Sequence, residues 1–215
     1  MTNDKNMNRR SFIKAGVAVG ALGLGSAVLW QFGGLGALRD SALRQFPGTL
    51  YVERLRQIVT ENTGRGRVLM WEVTSPIEQQ TVEVRVQGAE TILRRYPATD
   101  ERFTDNHIEV YQYAAELEQL TSGTRYQYRI AAGETATDWQ ELYAPAADES
   151  YKMLLFPDSQ SSDYADWKQL AHLAWARNTD AQLFACMGDL VDNGEDRLQW
   201  TEFFGGVKEM QRSIP

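Results

Sequence analysis

Two short apolar runs, each stopped by an aspartate and separated by one helix-length stretch, constrain this chain more than anything else in it. The first is Tyr151-Lys-Met-Leu-Leu-Phe-Pro157, followed by Asp158-Ser159-Gln160. The second is Ala181-Gln-Leu-Phe-Ala-Cys-Met187, followed by Gly188-Asp189-Leu190-Val191-Asp192-Asn193-Gly194. Between them Trp167, Leu170, Ala171, Ala174 and Trp175 recur at helical spacing, with Ser162 or Asp163 as the cap. Strand, helix, strand at this length is a βαβ unit, whose strands are usually parallel neighbours. Asp158 and Asp189 should then leave the sheet at one edge, and two hard oxygen donors converging there suggest a metal site. The plainer alternative is that both aspartates cap helices or form turns.

The middle of the chain has a different period. Leu69, Trp71 and Val73 share one face of Val68–Val73, Val82, Val84 and Val86 one side of Thr81–Val86, and Tyr126, Tyr128 and Ile130 alternate with polar residues. Turn signals at Thr63-Gly64-Arg65-Gly66, Ser75-Pro76, Gln87-Gly88 and Ser122-Gly123 separate the runs. Many short alternating strands within residues 50–146 predict an antiparallel β-sandwich.

Ahead of both lies Asn8-Arg9-Arg10-Ser11-Phe12-Ile13-Lys14 and then a charge-free stretch from Ala15 to Leu38. This resembles a twin-arginine (Tat) export signal. At ~1.5 Å rise per residue a helix over that stretch is also long enough to span a bilayer. Residues 1–38 are therefore expected to be a Tat signal or membrane anchor, and 39–49 a linker. Gly25-Ser26-Ala27 offers small residues for cleavage. The expected partners are the Tat translocase and the membrane, and the expected location is periplasmic, extracellular or anchored at the cell surface. Tat export of an already folded protein suits an enzyme that loads metal before leaving the cytoplasm. Charge points away from nucleic acid: beyond residue 38 the chain holds 18 basic and 28 acidic side chains, a balance of −10. Cys186 is the sole cysteine, so no disulfide forms within the chain.

Leu117-Glu-Gln-Leu120-Thr-Ser-Gly123-Thr124-Arg-Tyr126-Gln-Tyr128-Arg129 resembles the end of a fibronectin type III domain. In that likeness Tyr126 is the corner tyrosine and Trp71 the core tryptophan. The pattern Asp158-x-Gln160…Gly188-Asp189-x-x-Asp192-x-Gly194 resembles the first part of a calcineurin-like metallophosphoesterase. With a fibronectin-like domain in front, the chain is similar to a purple-acid-phosphatase-like protein. The resemblance implies a β-sandwich at 50–146, followed at 150–215 by the N-terminal portion of an αββα metallophosphoesterase domain.

For function the likeness implies an exported, metal-dependent hydrolase of phosphate esters with two metal ions (Fe, Mn or Zn). Asp158 would hold one ion, Asp189 would bridge both, and Gly188 would let the backbone approach closely. Gln160 stands where many relatives carry histidine, and would contact metal, water or phosphate. Asp192 would be either a ligand or a loop-ordering acceptor. A metal-binding tyrosine is expected at that place in true purple enzymes, so its absence argues against their colour. The family's later Gly-Asn-His and Gly-His-x-His motifs do not occur here, where His107 and His172 are the only histidines. No catalytic residue is thus expected within this chain. The acid that protonates the leaving group is expected beyond Pro215, and activity of residues 1–215 alone should be slight. A non-catalytic, surface-anchored fibronectin-like module with a degenerate phosphatase domain is the alternative, and structural calcium binding by the aspartates is a third.

Overall fold

A computed structural model describes residues 50–105, 107–161 and 163–215. All of these residues belong to one compact unit, Gly48–Pro215. The Tat-like segment, the linker up to Thr49 and the candidate cap Ser162 lie outside the described residues.

Among the described residues, nine strands build the region from residue 53 to 144: β1 (Glu53–Ile58), β2 (Arg67–Val73), β3 (Thr81–Val86), β4 (Arg94–Pro97), β5 (Thr99–Asp105), β6 (Ile108–Leu117), β7 (Thr124–Ala132), β8 (Thr135–Ala136) and β9 (Gln140–Ala144). One antiparallel sheet runs β1-β2-β6-β5, and the second runs β4-β3-β7-β8 with β9 also on β7. Period-two alternation supplies the core between them. Leu69, Trp71, Val73, Val82, Val84, Tyr126, Tyr128 and Ile130 are all buried. Trp71 stacks on Tyr113 across the β2–β6 pair, with centroids 5.9 Å apart, and its ring N–H donates to Gln80 Oε1 at 2.7 Å. Tyr126 is a corner tyrosine: its hydroxyl accepts from Thr121 N, five residues back, at 2.8 Å. Gly88 and Gly123 have φ of 84° and 75°, which is why glycine ends those turn signals.

In β3 two residues depart from strict alternation. Val86, at the end of β3, is exposed, whereas Glu83 on the opposite face is buried. Glu83 stays there because Arg95 Nε and Arg129 Nε each donate to it at 2.8 Å. Burial works to raise its pKa, but the two arginines outweigh that and hold it below the ordinary carboxylate value.

After β9 the period changes. β10 (Met153–Phe156) and β11 (Leu183–Cys186) pair in parallel around α1 (Tyr164–Ala176). Two further helices follow, α2 (Arg197–Gly206) and α3 (Met210–Ser213). Asp163 caps α1 by accepting from Ala165 N at 2.9 Å. A second core forms from Phe156, Tyr164, Trp167, Ala171, Phe203, Val207 and Met210. Trp167 stacks on Phe203, and its ring N–H donates to the Phe203 carbonyl at 3.0 Å. Gly206 makes this approach feasible, since an added Cβ would sit 2.5 Å from Trp167 Nε1. Leu170 does not join this core: it is 57% exposed, on the outer face of α1.

The two regions are bolted together. Tyr128 Oη and Gln57 Nε2 both donate to the Arg212 carbonyl, at 2.7 Å each. Glu72, buried in β2, faces Arg54 at 3.3 Å and Arg197 of α2 at 3.6 Å. Arg197 also reaches Asp105 at 2.6 Å. Among the described residues no helix is long and apolar enough to cross a membrane.

Candidate metal centre

The parallel register pairs Met153 with Leu183 and Phe156 with Cys186. Continuing it carries Asp158 and Gly188-Asp189 off the same C-terminal edge. Hydrogen bonds then lock the two strand-end loops together. Met187 N donates to the Phe156 carbonyl at 2.8 Å. One turn further, the Asp189 carbonyl accepts from Ser159 N at 3.3 Å and from Gln160 N at 2.8 Å. The buried Ser159 donates its hydroxyl to the Leu190 carbonyl at 3.1 Å. Asp158 and Asp189 are thereby brought onto adjoining loops, and both are exposed.

Asp158 has one fixed oxygen, since Oδ1 accepts from Gln160 N at 3.0 Å. Asp189 adopts φ of 42°, a left-handed conformation that aspartate tolerates and most L-residues resist. Such strain persists where the surroundings impose it, and it clusters at functional loops. Here the Asp189 carbonyl is held by the Ser159 and Gln160 N–H groups.

The other candidates are arranged less tightly. Gln160 is partly buried between the loops, and its backbone N–H does the stitching. Asp192 is exposed. The ordering of its loop comes mainly from Asn193, whose Oδ1 accepts from Glu195 N at 3.0 Å and whose own N–H donates to Gln199 at 2.9 Å. Asp192 acts instead on Tyr164, a phenol whose pKa is raised chiefly by burial. A Cβ at Gly188 would meet nothing within 4 Å, so its glycine answers to no contact within the described residues. The two histidines lie elsewhere: His107 is exposed with φ of 64°, and His172 faces Glu209 at 3.6 Å.

The donor set is hard: two carboxylates and an amide oxygen, which suits cations that prefer oxygen. Among the described residues no three His, Cys, Asp or Glu side chains cluster as a finished metal cage.

Sequence reasoning found both loops through the strand–Asp pattern. It missed Ser159, Arg197 and Glu72, which tie the loops and the following helix in place. A serine three residues past a strand and an isolated strand glutamate carry no local signal.

An antiparallel sandwich followed by a parallel strand pair with strand-end aspartates defines a two-part architecture. Residues 52–144 match the family model for the purple acid phosphatase N-terminal domain. The purple acid phosphatase PPD1 from yellow lupin (Lupinus luteus) seeds shares the fold at TM-score 0.63 and 13% identity, over 76% of this chain and 34% of that chain. A structure of PhoD aligns at TM-score 0.49 and 14% identity, over 75% of this chain and 37% of that chain. Among curated proteins nothing matches the sequence significantly. The β-sandwich at residues 52–144 is thus similar to the purple acid phosphatase N-terminal domain, and the chain shares its fold with part of the lupin protein. It spans 34% of the length of the lupin enzyme.

Proposed function

We propose that residues 150–215 contribute the first carboxylates of a divalent-metal centre in an exported phosphoesterase of purple-acid-phosphatase type. The observation that carries this is the joining of the two strand-end loops through the Asp189 carbonyl, with Asp158 and Asp189 exposed on those adjoining loops. Asp158 and Asp189 would hold the metal, Gln160 would add a neutral oxygen, and Asp192 would lie at the rim. Divalent ions bound in such a site polarise a phosphoryl oxygen and lower the pKa of water. This chain's residues would hold and orient: Ser159 fixes the first loop, and Asp196, which caps α2, fixes the second. Substrates would be phosphate esters, and the N-terminal segment would direct Tat export.

Titration of the full chain with Mn²⁺ tests the centre. Saturable binding is expected, weakened at least about tenfold in Asp158→Asn and in Asp189→Asn. Equal affinity in all three proteins would remove the proposal. Export is tested separately by Arg9→Lys with Arg10→Lys, which should leave the protein in the cytoplasm.

A second reading is a non-catalytic binding module. It is favoured by the outer face of β3 and β7, where Arg85 and Arg129 lie over the Trp139 ring at 4.0 and 4.6 Å. Absence of any Mn²⁺ binding would move the assignment there.

A further inference from the structure

A cleft of about 670 Å³ opens between the β1–β2 turn and the β9–β10 connection. It lies at the start of β10 and β11, the end opposite Asp158 and Asp189, so it owes nothing to the metal centre. Its size is that of a small-molecule pocket. Val59, Tyr151 and Leu183 give it apolar walls, and Arg67 is part of its lining.

Arg67 is the unusual member. It is only 1% exposed, yet among the described residues no carboxylate pairs with it. Its one hydrogen bond among those residues runs from Nη2 to the Tyr143 carbonyl at 2.9 Å, and Nε and Nη1 have no protein partner there. Burial pushes its pKa down to about 10, so it is still a cation at neutral pH. A guanidinium withdrawn from water without a counter-charge is unfavourable unless something else supplies the charge. The nearby acids do not supply it. Glu149 is engaged by the Tyr143 hydroxyl, Ala146 N and Gln182 Nε2. Glu61 lines the cleft as an exposed side chain. On the same wall Gln182 Oε1 is buried without a donor. Behind the cleft wall thus lie one buried cation with two unpartnered nitrogens, Nε and Nη1, and one unmet acceptor.

We propose that this cleft binds a small organic oxyanion, its carboxylate or phosphate on Arg67, a hydroxyl or amino group on Gln182 Oε1, and its apolar body against Tyr151 and Leu183. Titrate the full chain, in excess chelator, with 4-hydroxybenzoate and with phenyl phosphate, and follow heat or the shift in Tm. Saturable binding at a Kd of about 1 mM or tighter is expected for at least one probe. Response to the first alone identifies a carboxylate ligand, and to the second alone a phosphate ester. Arg67→Met removes the buried charge at similar volume, and should fold as well as or better than the parent while binding at least about tenfold more weakly. Ala147→Trp fills the mouth from an exposed position with Arg67 intact, and should weaken binding equally. No saturation with either probe overturns the proposal, and so does unchanged affinity in the two variants. Neither result bears on Mn²⁺ binding at the other end of the sheet.

Discussion

The sandwich and the βαβ segment solve the same problem to different degrees. In the sandwich two sheets cover each other, and Leu69, Trp71, Val82, Val84, Tyr128 and Ile130 sit in a shared interior. In the βαβ segment α1, α2 and α3 cover one face of a two-stranded sheet. The other face leaves Leu155 at 54% and Met187 at 65% exposed. Stability should therefore reside mainly in the sandwich, while the loops proposed to hold metal sit on the less protected element. Functional loops are commonly drawn from the low-stability end of a fold.

The largest effects should separate the regions. Trp71→Ala removes the central core side chain and orphans Gln80 Oε1, and should destabilise the whole unit by about 3–5 kcal/mol in denaturant melts. Trp167→Ala should cost a similar amount, about 3 kcal/mol or more, but locally. Hydrogen exchange would then show lost protection in β10, β11 and α1 with β2, β6 and β7 unchanged. Collapse of sandwich protection in that variant would break the comparison. Next in size is the join itself. Glu72→Ala leaves Arg54 and Arg197 largely buried without their shared acid, and should cost about 3 kcal/mol. It should also loosen α2 and the loop before it, read as faster exchange from residue 193 to 201.

The sandwich was largely legible because its information is local. Period-two alternation, glycines at forced positive φ, and a tyrosine five residues after its backbone donor can each be read within a few residues. The aspartates were legible for the same reason, since a strand end and its loop are contiguous. Long-range pairing was not. Glu83 reads as a solvent-facing strand residue until Arg95 and Arg129 close over it from two neighbouring strands. Leu170 fits helical spacing but lies on the face of α1 that the second core does not cover. Arg67 reads as a polar strand start, and only the packing of the two regions reveals it as buried.

Smaller effects sharpen the contrast between stability and function. Asp189→Gly relieves the left-handed strain, and should raise stability by up to about 1 kcal/mol while abolishing the expected Mn²⁺ affinity. A fall in stability would mean that the Asp189 side chain itself holds the loop. In the sandwich, the Glu83 pKa is lowered on folding, so its contribution is fully present above the unfolded value. It is lost as pH falls through the lower folded value. With Arg95 mostly exposed the pair should contribute below about 1 kcal/mol. Glu83→Gln should flatten the acid limb of the stability curve by that amount.

The finest probe is Cys186, the sole thiol, which lies in β11. Burial raises its pKa to about 11, so at pH 8 its thiolate fraction is roughly a hundredfold below that of a free cysteine. Alkylation of the native chain should be slower than that of the unfolded chain by at least this factor. Whatever labelling occurs can pass through opening of the segment or of the whole unit. Leu142→Ala, in the sandwich core, tells them apart. If the segment opens by itself, as its uncovered face implies, the rate is unchanged in Leu142→Ala and rises in Trp167→Ala. If the rate rises in Leu142→Ala as well, the bonds from Tyr128 and Gln57 to Arg212 and the Glu72–Arg197 pair make the two regions one cooperative body. The unequal covering of their sheets would then have no consequence for where the molecule yields first.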